Sequence, residues 1–298
     1  MEIKRAVVSL APGPVVRFFA APYLAGRGID SGVRKADEIW CARKLHSTVD
    51  LLGEEVFARE DVEATVAVYF RMADALAGRA YATISLKPTQ LGIHEGEAYC
   101  LENIRRVAAR AASRGIGLTV DMEDRHFTDV TLRLFAALRA EFDDVGIVLQ
   151  SRLFRTADDI RALPSGRCRV RICIGIYNEP REVAYQDKRA MKERLFEYVQ
   201  LLLDRGHYPE IATHDEPLIR RCIESLDRRG CPRDACEFQM LLGVPRAGIQ
   251  DEIVRDGRLM RLYVPFAEEW KYAVAYLRRR LAANPMMGAY VMKNLLRL

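Results

Sequence analysis

Eight strand signals, each followed by a helical pattern, predict an α/β protein built as a (βα)8 barrel, with N-terminal helices ahead of it and a C-terminal helix behind. Two absences narrow the choice. No GxGxxG turn follows the first strand, which disfavours the doubly wound open sheet, the other architecture made from alternating elements. No linker, low-complexity tract or internal repeat interrupts the 298 residues, a length that one large barrel accommodates. The expected boundaries are a helical lead-in over 1–45 and a barrel over 46–298.

Met1–Ala21 is mildly apolar and carries Lys4, Arg5 and Arg17. Pro12, Gly13 and Pro14 break its apolar run, which argues for a short helical lead-in over a secretory signal. An amphipathic helix follows at Ser31–Lys44, with Val33, Ile39 and Trp40 as expected buried positions. The first strand, Ser47–Leu52, closes on Gly53 and Glu54, and its helix covers Asp61–Leu76. The second, Tyr81–Lys87, is stopped by Pro88 and followed by a helix over about Glu95–Arg114. The third, Gly117–Asp121, leads to a helix near Thr128–Phe142, and the fourth, Val145–Gln150, to a short one at Ala157–Ala162. The fifth, Arg169–Ile174, is a β-branched run ahead of a long helix near Lys188–Arg205. Glu210–Ala212 and Cys236–Leu241 are the sixth and seventh, with helices at Glu216–Arg228 and near Arg246–Arg255. Met260–Val264 is the eighth, before a last helix from about Glu268 to Ala283.

Half of the residues are hydrophobic and 29% are charged, as in an ordinary globular protein. The net charge of +5 comes from 46 basic against 41 acidic residues spread along the chain, too slight and too dispersed for a nucleic-acid binder. It suits an anionic cofactor or weak contact with an anionic membrane surface. The seven cysteines, at 41, 100, 168, 173, 222, 231 and 236, are odd in number and contain no CxxC pair, so reduced thiols in a cytoplasmic protein are expected, with no disulfide framework and no metal site. No apolar run approaches the roughly 20 residues that cross a bilayer.

In such a barrel the chemistry sits at the carboxyl ends of the strands. A polar or ionisable side chain recurs there: Glu54, Lys87, Asp121, Gln150, Arg171, Thr213 with His214, Gln239 and Tyr263. That recurrence marks a site. The stretch Val170–Pro180 is its centre, a β-branched strand that opens into a loop at Gly175 and Tyr177. Arg171 places a guanidinium in that otherwise apolar strand, which is costly unless it meets an anion or an electron-rich acceptor. A carboxylate on a neighbouring strand would serve as well as a ligand. Lys87 with Asp121 also suits one buried ion pair, Gln150 suits backbone groups, and His214 suits the loop in which Asp215 caps the next helix. Of the successive Arg278, Arg279 and Arg280, at least one points inward or along the barrel mouth, because neighbouring helical positions are about 100° apart.

Several stretches, in order and at matching spacing, carry a family resemblance: Val49–Glu54, Ile84–Gly92, Thr119–Glu123, Val145–Gln150, Arg171–Pro180, Ala184–Lys188, Tyr208–Glu216, Phe238–Gly243, Tyr263–Pro265 and Arg279–Leu281. From about residue 46 onward the chain resembles the proline dehydrogenase family, FAD-dependent enzymes of the monofunctional bacterial type on a (βα)8 barrel. The resemblance implies oxidation of L-proline to 1-pyrroline-5-carboxylate, with hydride transfer to flavin N5 and electrons passed to a quinone. It assigns Met122, Gln150, Arg171, Ile174, Gly175, Ile176, Thr213, His214 and Gln239 to FAD. Lys87, Tyr177, Leu241, Tyr263, Arg279 and Arg280 would hold or wall the substrate, a small cyclic amino acid, with Asp121 and Arg171 as the catalytic pair. The implied partners are a quinone at a membrane surface and a 1-pyrroline-5-carboxylate dehydrogenase on a separate chain, placing the protein in the cytoplasm and peripheral to the inner membrane.

The chain departs from the family in three places. Ile174 stands where a lysine is usual, Ser151-Arg152 replaces Ala-Tyr and adds a charge beside the flavin, and the gap from Tyr263 to the arginine pair is longer. These leave open another cyclic or N-substituted amino acid as substrate, and which two of Arg278, Arg279 and Arg280 clamp its carboxylate. A Schiff-base lyase using Lys87, or a flavin-free binding barrel, are the readings from other classes.

Overall fold

The computed structural model describes residues 21–53, 55–274 and 276. Residues 1–20 of the expected lead-in, Glu54, the run Arg278, Arg279 and Arg280, and the end of the last helix lie outside the described residues.

Eight strands form the barrel: β1 (His46–Leu52), β2 (Ala82–Leu86), β3 (Gly117–Val120), β4 (Val145–Gln150), β5 (Arg169–Cys173), β6 (Tyr208–Ala212), β7 (Glu237–Leu241) and β8 (Leu259–Ala267). All are parallel and pair in chain order, and β8 closes the ring on β1. The helices are α1 (Ile29–Arg43), α2 (Arg59–Leu76), α3 (Glu97–Ser113), α4 (Thr128–Arg139), α5 (Thr156–Arg161), α6 (Lys188–Asp204), α7 (Glu216–Arg228) and α8 (Ala247–Arg255). The expected alternation is therefore present, with most boundaries displaced by a few residues. None of the helices among the described residues is long and apolar enough to cross a membrane, and all seven cysteines are free.

Side chains alternate along each strand. Val49, Ile84, Leu118, Ile147, Val170, Ile172, Ile211, Phe238 and Val264 are fully buried in the layer between barrel and helices. The opposite parity faces the barrel interior, as the Thr48–Thr83 hydroxyl contact at 3.0 Å shows. These inward positions are largely polar, which is what leaves the interior able to hold a site.

Two expectations need correction. Val33, Ile39 and Trp40 are only half-buried on α1, whereas Ser31, Gly32 and Ala36 are buried. The reason is close approach: a Cβ on Gly32 would lie 3.1 Å from both Val49 and Phe266. Small residues let α1 settle on the outer faces of β1 and β8, so a helix ahead of the first strand covers that seam. The eighth strand also runs past Val264 to Ala267, because Pro265, Phe266 and Ala267 pair with Asp50, Leu51 and Leu52. Read locally, a proline ends a strand; here closure of the barrel supplies the pairing.

The chain before α1 is held against the same end of the barrel. Ala25 N–H donates to Pro265 O at 2.8 Å and Gly28 N–H to Ala267 O at 3.0 Å. Tyr23, Leu24, Leu52, Ala267, Ala273 and Tyr276 form a second, smaller apolar cluster there.

Candidate active site

The site begins with the alternation of β1, β2, β3, β5 and β8. Asp50 lies inside β1, Lys87 and Asp121 are the residues just past the ends of β2 and β3, and Arg171 and Tyr263 lie within β5 and β8. All face the barrel axis near its C-terminal mouth. Lys87 Nζ lies 2.9 Å from Asp50 Oδ1 and 3.2 Å from Asp121 Oδ2. Tyr263 donates its phenol to Asp121 Oδ2 at 2.7 Å, and Ser85 donates to Asp121 Oδ1 at 2.6 Å. Arg171 Nη1 donates to Asp121 Oδ1 at 2.8 Å, and its guanidinium sits 5.2 Å from the Tyr263 ring centre.

The contacts continue downward. Arg171 Nε donates to Gln239 Oε1 at 2.6 Å, and Gln239 Nε2 donates to Glu210 Oε2 at 2.8 Å and to Glu237 Oε1 at 2.5 Å. Glu237 takes both a 2.6 Å and a 3.0 Å bond from Arg261, and Arg169 reaches Glu210 at 2.6 Å. Inside the barrel, four cations (Lys87, Arg169, Arg171, Arg261) thus face four anions (Asp50, Asp121, Glu210, Glu237). Paired in this way the charges are tolerated, and removing one leaves a buried partner with less compensation.

Electrostatics separate the two upper carboxylates. Burial pushes Asp50 up to about 6, against the pull of Lys87, and the neighbouring Asp121 charge adds to the rise. Burial opposes ionisation of Asp121 too, yet Lys87 and Arg171 outweigh it and hold that carboxyl below its ordinary range. Burial and the nearby carboxylates raise the Tyr263 phenol well above its usual value. Two acids a few ångströms apart are therefore poised differently, a pattern found where a site must hold and exchange a proton.

The residues expected at the cofactor, together with Tyr177 and Leu241 expected at the substrate, ring the mouth on the β3–β7 side. Met122 is buried; Ile174, Gly175, Ile176, Tyr177 and Leu241 are half-buried. Gln150 donates to Glu123 O at 2.7 Å. Thr213 Oγ1 accepts from Asp215 N–H at 3.2 Å, while Asp215 caps α7 through Leu218 N–H at 3.1 Å, as the sequence suggests. His214 Nε2 accepts from Leu241 N–H at 2.9 Å. Gln239 lies deeper than the rest, between Arg171 and the two glutamates. Arg171 meets the carboxylate partner that the sequence left open, and still keeps Nη2 buried without a hydrogen bond.

Three residues escaped the sequence reading. Asp50 is the largest omission, since it holds Lys87; Ser85 and Glu210 support Asp121 and Arg171. All three share the inward parity of their strands with residues that were recognised, and counting by twos from Lys87 reaches Ser85.

A flavin fits what is present. At the β4–β5 end, Arg171 Nη2, Gln150 Oε1 and Arg152 Nε are buried and lack hydrogen-bond partners among the described residues. The Arg171 donor and the Gln150 acceptor suit a ring system that both accepts and donates hydrogen bonds, and Arg152 Nε lies beyond them at the β4 end. Gly175 (φ +96°) brings its backbone against them, and a Cβ there would meet Gln150 Oε1 at 2.2 Å.

Comparison with known proteins gives the family. The sequence model of the family described as proline dehydrogenase matches residues 34–166 and 183–289. Proline dehydrogenase of Deinococcus radiodurans is 33% identical over 310 residues, covering 99% of this chain and 98% of the relative. Proline dehydrogenase 1 of Bacillus subtilis is 30% identical over 282 residues, covering 94% and 92%. Among solved structures, proline utilization A from Bdellovibrio bacteriovorus, inactivated by N-propargylglycine, superposes with a TM-score of 0.80 at 23% identity. It covers 88% of this chain, which spans 32% of that longer protein, and the likeness bears on the fold alone. On the family model and the near full-length relatives, the chain belongs to the proline dehydrogenase family.

Proposed function

We propose that the protein oxidises L-proline to 1-pyrroline-5-carboxylate with FAD as its cofactor, and that the electrons leave to a quinone. The observation that carries this reading is the buried Asp50–Lys87–Asp121–Arg171–Tyr263 cluster at the barrel mouth, bordered by the unbonded Arg171 Nη2 and Gln150 Oε1. FAD, when bound, supplies the two-electron acceptor at N5.

The residues of the chain do the rest. Oxidation removes a hydride from the ring carbon beside nitrogen and a proton from nitrogen, so the substrate amine must be neutral at the moment of transfer. Asp121, held ionised by Lys87 and Arg171, stays charged and fixes the orientation of Tyr263 and Arg171. Asp50 is the carboxyl of the cluster that most readily takes up a proton, at the Oδ2 that lacks a hydrogen-bond partner among the described residues, and Lys87 joins it to Asp121. Arg171 opposes negative charge that builds up beside its free Nη2, a preorganised contribution of about a few kcal/mol. Tyr177, Leu241 and Tyr263 provide apolar and aromatic surface for the ring. Arg279 and Arg280 would clamp the carboxylate in a bidentate manner. A lyase role for Lys87 is less suited to this geometry, because both neighbouring carboxylates already engage its Nζ.

The quinone is expected at a membrane surface, and a separate 1-pyrroline-5-carboxylate dehydrogenase would consume the product. The test is the visible spectrum of the purified protein. Flavin absorbance bleached by anaerobic proline supports the reading. Colourless protein, or a flavin that proline leaves oxidised while another cyclic amino acid bleaches it, overturns the cofactor or the substrate respectively.

A further inference from the structure

One cation near the mouth makes no ion pair among the described residues, and the carboxylate that acts on it is the more distant Glu179. Five arginines among the described residues keep a buried nitrogen without a hydrogen bond: Arg110, Arg139, Arg152, Arg171 and Arg258. Four of them hold a carboxylate elsewhere on the guanidinium: Arg110 on Asp74, Arg139 on Asp143, Arg171 on Asp121, and Arg258 on Asp227 and Asp256. Arg152 alone of the five makes no ion pair among the described residues. Among the described residues its guanidinium meets only the Met191 sulfur, a weak acceptor 4.0 Å from Nη2. Burial accordingly holds Arg152 below the usual arginine range.

The nearby acids are already engaged. Glu179 accepts Arg125 N–H at 2.9 Å and the Arg125 guanidinium at 3.4 Å, and Asp187 caps α6 by accepting Ala190 N–H at 2.8 Å. The first turns of α6 add Lys188, Arg189 and Lys192, of which Lys192 pairs with Asp215. A half-buried guanidinium kept unpaired in a cationic setting is costly unless an anion completes it.

Its position says which anion. Arg152 N–H reaches Ile174 O at 3.3 Å, and a Cβ on Gly175 would lie 3.1 Å from Arg152 Cδ and 2.2 Å from Gln150 Oε1. Gln150, Gly175 and Arg152 therefore lie together at the β4 and β5 ends, with Arg171 further down β5, two residues before Cys173, the strand partner of Gln150. In FAD the ribityl chain leads outward from the redox ring to a diphosphate.

We propose that Arg152 anchors the diphosphate of the bound dinucleotide, an assignment that rests on the FAD reading above. The loop at Ile174–Ile176 brings no cation of its own, so the charge comes from the neighbouring β4 end.

The experiment is equilibrium binding of FAD and of riboflavin, which lacks phosphate, to the full chain by flavin fluorescence, with thermal melts to confirm folding. Arg152→Ala should weaken FAD binding by on the order of ten- to a hundredfold while leaving riboflavin within about threefold, the loss of one charge-assisted contact. Arg152→Lys, which keeps the charge and loses the fork, should fall between. Equal weakening of both flavins, or unchanged FAD binding, overturns the assignment and leaves the cofactor reading intact. Parent protein that binds no flavin overturns both.

Discussion

Replacing Asp50 with asparagine tests the electrostatics of the barrel mouth most directly. The two side chains have the same shape, and an amide oxygen can still accept from Lys87 as Asp50 Oδ1 does at 2.9 Å. What disappears is a buried carboxyl raised from an ordinary 3.8 to about 6. In the folded parent this group binds its proton more tightly than in the unfolded chain, so its contribution to stability is complete below about pH 4 and is lost as the pH rises through about 6. At 1.36 kcal/mol per unit, the shift is worth about 3 kcal/mol. The amide that replaces the carboxyl carries no such proton. Asp50→Asn should therefore gain about 2.5 kcal/mol of stability relative to the parent between pH 4 and pH 7.5, the rest of the shift falling below pH 4 where the unfolded carboxyl titrates. Urea denaturation across that range, parent and variant side by side, measures the difference, the pH effects of groups distant from Asp50 cancelling between the two. A difference that stays flat from pH 4 to 7.5 would refute the claim that Asp50 is buried with a raised affinity for protons, and with it the proton-holding role proposed for this residue.

Two further outcomes follow from the same packing. Arg171→Met should cost about 3–5 kcal/mol in denaturant unfolding, because Asp121 loses a buried charge partner, and pairing it with Asp121→Asn should recover part of that loss; strict additivity would mean the two do not act together. Gly243→Ala should lower the melting temperature by at least about 2 °C by calorimetry, since φ there is +80° and the new methyl would lie 2.2 Å from Pro22 O, forcing the segment at 22–24 off the barrel end; an unchanged melting temperature would show that this segment is not tightly seated.

The sequence by itself determined the alternation of elements and hence the barrel. Hydrophobic period and Gly/Pro punctuation are local signals, and they placed the Val145–Gln150 strand and the Glu216–Arg228 helix at the bounds observed. It also named Lys87, Asp121, Arg171 and Tyr263, because an ionisable group ending or interrupting an apolar strand is visible without coordinates. Only the tertiary structure decided their partners. Asp50 and Lys87 are 37 residues apart, and Arg171 and Gln239 68 apart, so their contacts depend on strand register and barrel closure. The same closure carried β8 through Pro265, and close packing turned Gly32 into a buried position while leaving Trp40 at the edge. Whether a carboxyl sits at its ordinary affinity for protons or far above it is set by desolvation and by charges brought from distant strands. That is why Asp50, unremarked in its own stretch of chain, becomes a buried carboxyl with a raised affinity for protons.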